Sequence, residues 1–153
     1  MSTLELKIPP PIVALTVAGG MWYVASSAAA PSVPASIRIG VAIAIALLGI
    51  GVIVAGAIAF RQANTTVNPM KPEKASSLVT SGIFTISRNP MYVGLLLVLA
   101  GWAAFLWSAF ALVGPLVFFL YISRFQIAPE ERVLSRLFGR EFDAYRRRVR
   151  RWL

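Results

Sequence analysis

Ser87-Arg88-Asn89-Pro90-Met91-Tyr92-Val93-Gly94 marks the point where a polar loop enters an apolar run. About forty residues later Pro129-Glu130-Glu131 marks the point where the last apolar run leaves into an arginine-rich tail. Between them, from Asn89 to Ile122, no residue is charged. One bilayer crossing takes about 20 apolar residues to span roughly 30 Å of hydrocarbon. This run is too long for one crossing and long enough for two short helices folded back near Trp107-Ser108. The two motifs then stand at the open ends of a hairpin, at one water–lipid boundary.

Outward from this hairpin the same pattern repeats. There is no charge between Lys7 and Arg38, and none between Arg38 and Arg61. The chain is 58% hydrophobic with a mean hydropathy of +0.73, far above an ordinary soluble domain. These features predict an all-α integral membrane protein with about four transmembrane helices, at about 11–30, 38–60, 90–107 and 109–124. A cytoplasmic loop at 61–89 and a C-terminal amphipathic cytoplasmic helix at 129–152 complete a single membrane domain, 1–153. Glu5 and the prolines Pro9, Pro10 and Pro11 precede the first apolar run, and no basic n-region is present, which speaks against a signal peptide.

Of 15 basic residues, four lie at 61–88 (Arg61, Lys71, Lys74, Arg88) and nine lie from Arg124 onward, while the 31–37 link has none. By the positive-inside rule the loop, the tail and both termini face the cytoplasm. Trp22, Tyr23, Trp102, Trp107 and Tyr121 fall near span ends, where aromatic side chains anchor at the interface. The tail's charge is read as a membrane-surface feature, with no nucleic-acid partner expected. Gly19-Gly20 and the series Gly49, Gly51 and Gly56 offer close-packing faces, within the bundle or between copies.

The chain has no histidine and no cysteine, so the usual zinc ligands, thiol nucleophiles, disulfides and imidazole bases are not available to it, and no metal site is expected. No glycine-rich phosphate loop follows a strand. The spans hold no carboxylate, unlike proton- or cation-coupled transporters. Chemistry is therefore expected at the cytoplasmic edge.

After Pro129, apolar residues fall at Val133, Leu134, Leu137, Phe138, Phe142, Tyr145, Val149 and Trp152. Those spacings keep one helix face apolar while arginines cover the other, with Gly139 as a breaking point. The helix either lies on the bilayer as an anchor or caps a pocket at the span ends. Asn89-Pro90 and Pro129-Glu130-Glu131 each have a structural role as helix starts, through an Asn cap, a first-position proline and carboxylates near the positive dipole end. Their pairing on one membrane face adds a functional one.

The blocks Leu78-Val79-Thr80-Ser81-Gly82-Ile83-Phe84, Arg88-Asn89-Pro90-Met91-Tyr92-Val93-Gly94, Glu130-Glu131-Arg132-Val133-Leu134, Phe138-Gly139 and Tyr145 resemble the isoprenylcysteine carboxyl methyltransferase family. That family belongs to a wider group of small membrane methyltransferases that includes the phospholipid N-methyltransferases. The likeness covers roughly 60–153. It implies packed membrane helices, S-adenosyl-L-methionine held on the cytoplasmic side, and a lipophilic methyl acceptor entering from the bilayer.

The resemblance implies a cofactor site at Ser77, Leu78, Val79, Phe84, Arg88, Asn89, Pro90, Met91, Tyr92 and Glu130. Leu78 and Val79 would hold the adenine, and Phe84 and Tyr92 would offer aromatic faces to a sulfonium. Glu130 would bind the methionyl ammonium or a ribose hydroxyl, and Arg88 or Arg124 the methionyl carboxylate. Arg124, Tyr92 and Glu131 are the residues implied beside the reacting groups. Two positions depart from the family pattern: Asn89 stands where many members have histidine, and Gln126 stands where an arginine meets the acceptor's carboxylate. Methyl transfer from an activated sulfonium needs alignment more than a strong base, which favours an anionic acceptor such as a prenylcysteine-like carboxylate. The alternative is a non-enzymatic membrane scaffold, which would have the spans and the basic tail but no cofactor affinity.

Overall fold

The computed structural model describes residues 5–27, 32–64, 70 and 72–153. Residues 28–30 of the expected first span, and Lys71 of the loop, lie outside the described residues. Five helices carry the fold, and no strand forms among the described residues. Helix α1 is Pro10–Ser26 and α2 is Ala35–Gln62, each entered from a proline. The carbonyl of Pro9 accepts from the Ile12 and Val13 N–H groups, and that of Pro34 from Ile37 and Arg38. Pro34 thus starts α2 three residues before the position expected from hydropathy. Helix α3, Pro90–Leu106, stops at Trp107, whose φ of 48° is left-handed. Ser108 is extended, and the chain folds back there.

A 3-10 turn at Ala109–Leu112 leads into α4, Val113–Ile122. Here the structure corrects the sequence reading. Helix α4 does not end before Pro129; it passes through a π-helical turn, Ser123–Ile127, directly into α5, Ala128–Arg148. Pro129 therefore sits inside a continuous helical path rather than opening a new helix. Proline has no N–H to return to the carbonyl four residues back. The Leu6 N–H takes that carbonyl, Phe125 O, at 3.1 Å. Asn89 does not cap α3 with its side chain either; its backbone carbonyl accepts from Tyr92 and Val93.

Helices α2 and α3 share the largest interface, and glycine makes it close. A Cβ on Gly94 would lie 2.6 Å from Gly49 O, and one on Gly56 would lie 2.8 Å from Met91 Cγ. Gly49 and Gly56 thus serve contacts within the bundle, while Gly51 and the Gly19-Gly20 pair meet nothing within 4 Å. Helices α1, α3 and α4 enclose a core of Met21, Leu99, Ala103, Phe118 and Ile122. Both α1 and α2 rest on α3 but hardly touch each other.

The outward faces are apolar: Leu47, Leu48, Leu116 and Leu120 are all more than half exposed. Faces of this kind suit a hydrocarbon solvent, in which helices satisfy their own backbone groups. Two stretches are long and apolar enough to cross a bilayer, Ala35–Gln62 and Ala109–Arg148. Helices α1 and α3 are apolar but shorter, at 17 residues each. The protein is membrane-associated, with two such stretches and two shorter apolar helices where four crossings were expected.

The tail departs most from its periodicity. Helix α5 breaks at Gly139 (φ 47°, ψ −117°), a backbone conformation that only glycine adopts readily. It ends at Arg148, and Val149 turns to extended backbone (φ −122°, ψ 133°), so 149–152 do not continue the amphipathic helix. They run back under the bundle. Arg150 O accepts from the Arg88 N–H at 3.0 Å, and the Trp152 ring packs 4.7 Å from that of Phe119. The apolar face of α5 is spent inside the protein: Phe142 and Tyr145 pack with Val79, Phe84 and Ala59 in a second core.

Candidate functional site

Three pieces of chain converge under α3. The 3-10 turn Gly82–Thr85 brings in Phe84, the start of α3 brings in Asn89 to Tyr92, and the start of α5 brings in the two glutamates. Ser87 makes the turn into α3 possible: it is 2% exposed, and its Oγ accepts the Asn89 N–H at 3.1 Å. Tyr145 ties α5 to the loop by donating its hydroxyl to Phe84 O at 2.7 Å. The result is a cavity of about 460 Å³, within the size range of small-molecule sites.

Ser77, Leu78, Val79, Phe84, Arg88, Asn89, Pro90, Met91, Tyr92 and Glu130 all line this one cavity, as does Glu131. Their roles differ. Ser77 turns its hydroxyl to Ala63 O at 3.1 Å, tying the loop to the end of α2. Asn89 donates from Nδ2 to Arg151 O at 2.9 Å, so its amide braces the tail. Glu130 Oε1 accepts two hydrogen bonds, from the Tyr92 hydroxyl at 2.5 Å and from Gln126 Nε2 at 2.7 Å. Gln126, 2% exposed, lies one helical turn before Glu130, where side chains four apart share a face.

Glu131 is bound to arginines. It meets Arg88 Nη2 at 3.0 Å and Arg151 through Nε at 3.1 Å and Nη2 at 2.5 Å. Arg88 keeps two further donors, Nε and Nη1, buried and without a partner. Burial lowers its pKa and the Glu131 carboxylate works against that; guanidinium remains charged in any protein setting. Among the described residues Arg88 is the one cationic side chain on the cavity wall.

Arg124 is not brought to this cavity. Its side chain is 62% exposed and reaches Glu5 at 3.4 Å, with Arg132 on the same carboxylate at 2.6 Å. Arg124, expected beside the reacting groups, lies instead against Glu5, next to Leu6, whose N–H donates to Phe125 O at 3.1 Å. Sequence reasoning missed Arg151, Ile53, Phe60 and the Pro9–Pro11 stretch, which also line or brace the cavity. Only the proline run carried a local signal.

The phospholipid methyltransferase family profile matches residues 37–141. A stretch of 63 residues is 46% identical to an uncharacterized protein of Haemophilus influenzae, covering 41% of this chain and all of that protein. No solved structure matches. The match includes α2, α3, α4 and the cavity residues from Ser77 to Glu131, and the chain belongs to the phospholipid methyltransferase family, the membrane methyltransferases related to the isoprenylcysteine carboxyl methyltransferases.

Proposed function

We propose that the protein transfers the methyl group of S-adenosyl-L-methionine to the headgroup of a membrane lipid, at the cytoplasmic face. The observation that carries this is the pairing, in one cavity, of Arg88 donors that lack a partner with a Glu130 carboxylate held by uncharged donors. A buried guanidinium with free N–H groups calls for an anion, and the methionyl carboxylate is one. Glu130 would take the methionyl ammonium. The apolar side chains of Leu78, Val79 and Phe84 would take the adenine, and the Tyr92 ring is an attractive neighbour for a sulfonium. The residues present fit the cofactor.

When bound, S-adenosyl-L-methionine would supply a sulfonium-activated methyl group, with S-adenosylhomocysteine as the leaving group. The chain's own share is to align the acceptor and exclude water, effects worth several powers of ten. Tyr92 and Gln126 fix the orientation of Glu130 from two sides, and the salt bridge to Glu131 fixes Arg88. With the central loop and tail in the cytoplasm, the cavity opens to the compartment that holds the cofactor. A carboxylate acceptor is the weaker choice. Arg124 faces Glu5 and the Gln126 amide binds Glu130, so such an acceptor would compete with the methionyl carboxylate for Arg88.

Calorimetric titration with S-adenosylhomocysteine tests this directly. Saturable binding is expected to the detergent-purified protein, weakened about thirtyfold in Glu130→Gln, the cost of about 2 kcal/mol for a charged hydrogen bond. Absence of binding to folded wild-type protein, in detergent and in nanodiscs, would overturn the proposal and leave a scaffold role.

A further inference from the structure

A second hollow, of about 760 Å³, lies between α1 and α2 with α3 as its floor. It exists because both helices pack on α3 and hardly on each other. Every lining residue is apolar, with small side chains such as Ala14, Ala42 and Ala46 on the walls. The one polar side-chain atom, Trp102 Nε1, is already donated to Ala18 O at 3.1 Å. Leu15, Ile39 and Ile43 line the hollow and remain exposed at 73%, 44% and 53%, so its mouth faces sideways, where the bilayer lies.

We infer that this slot holds a hydrocarbon tail of the lipid acceptor; the inference rests on the function proposed above and names the part of the substrate that the first cavity cannot hold. Three observations carry it. Pro11 and Leu95 line both hollows, so the slot abuts the cavity of Arg88 and Glu130. Its far end is closed where Arg38 Nη1 donates to Phe105 O at 2.7 Å and the guanidinium lies 5.8 Å from the Phe105 ring. From Leu95 to Phe105 the floor rises ten residues of α3, about 15 Å, half of the roughly 30 Å hydrocarbon thickness. The slot is thus about as long as one leaflet is thick, and its near end abuts the cavity where a headgroup would react. A tail seated there points the headgroup at Glu130 without leaving hydrocarbon, and tails longer than the slot meet Arg38.

The test uses the full chain in phosphatidylcholine nanodiscs that contain some phosphatidylethanolamine with a diazirine near the end of one acyl chain. After illumination, labelled residues are mapped by mass spectrometry. Labels are expected to concentrate on Ala18, Ile39, Ala42 and Phe105, at the far end of the slot, relative to the bilayer-facing Leu47, Leu116 and Leu120. Leu15→Trp with Ile43→Trp, which narrows the mouth, should cut slot labelling about tenfold, the loss expected when roughly two methylenes are kept out. Slot labelling no higher than that of Leu116 and Leu120 in the wild type overturns the inference, whether or not the double variant folds. Titration of S-adenosylhomocysteine on the same nanodiscs separates the two proposals. Slot labelling without cofactor binding leaves a lipid site and removes the methyltransferase; cofactor binding with uniform labelling does the reverse.

Discussion

Glu130 and Glu131 are neighbours at the start of one helix, and they face opposite electrostatic settings. Glu130 is held by a phenol and an amide, neither of which carries charge. Glu131 is held by two guanidinium groups. Burial pushes the Glu130 carboxyl up to about 7, against the pull of its two donors, so a cationic ligand group beside it would draw out its charge. The carboxylate of Glu131 is instead shared between two arginines and spent on the fold. The same contrast applies to their counterparts. Arg88 uses one nitrogen on Glu131 and keeps two buried donors in reserve, so the structural glutamate holds the arginine that would do the binding.

Breaking the structural side should have the largest effect. Glu131→Ala leaves the Arg88 guanidinium, 12% exposed, without an anion; losing one partner of such a pair costs about 3 kcal/mol. Denaturant or thermal unfolding in detergent should register it, and a change much below this would mean that Arg88 finds other company. On the ligand side, Tyr92→Phe removes one of the two donors to Glu130. Affinity for S-adenosylhomocysteine should fall about tenfold, in line with about 1.4 kcal/mol for a hydrogen bond to a charged group, with stability less affected than in Glu131→Ala. An unchanged affinity would detach Glu130 from the cofactor. Smallest is Arg124→Ala. Arg124 lies off the cavity and Arg132 keeps Glu5 paired, so cofactor affinity and methyl transfer should stay close to wild type, and a large loss of either would return Arg124 to the site.

The helices were legible where local chemistry decides them. Uncharged runs marked out α1, α2 and α3, with a proline at the start of α1 and α3, and Trp107-Ser108 marked the turn between α3 and α4. The cavity residues were legible through a resemblance rather than through periodicity, since nothing local says that Tyr92 meets Glu130 across 38 residues. What escaped was set by contacts distant in sequence. Trp152 falls on the helical face by spacing alone, yet its ring rests on Phe119 and its Nε1 donates to Ser123 Oγ at 3.1 Å. Glu5 read only as an argument against a signal peptide; in the folded protein it is a buried acid that gathers Arg124 and Arg132. Pro129 had the look of a helix start, and the π turn before it shows how a helix absorbs a proline when another backbone donor is at hand.

The return of residues 150–152 beneath α3 also sets an order in time. Arg88 and Asn89 are bonded to the carbonyls of Arg150 and Arg151, so that wall of the cavity is completed by residues made more than sixty positions later. Synthesis proceeds at about 5–20 residues per second, so the apolar helices enter the bilayer seconds before the binding site can close. Capture of the proposed cofactor would then begin only after this stretch has emerged from the ribosome, later than the membrane insertion of the apolar helices.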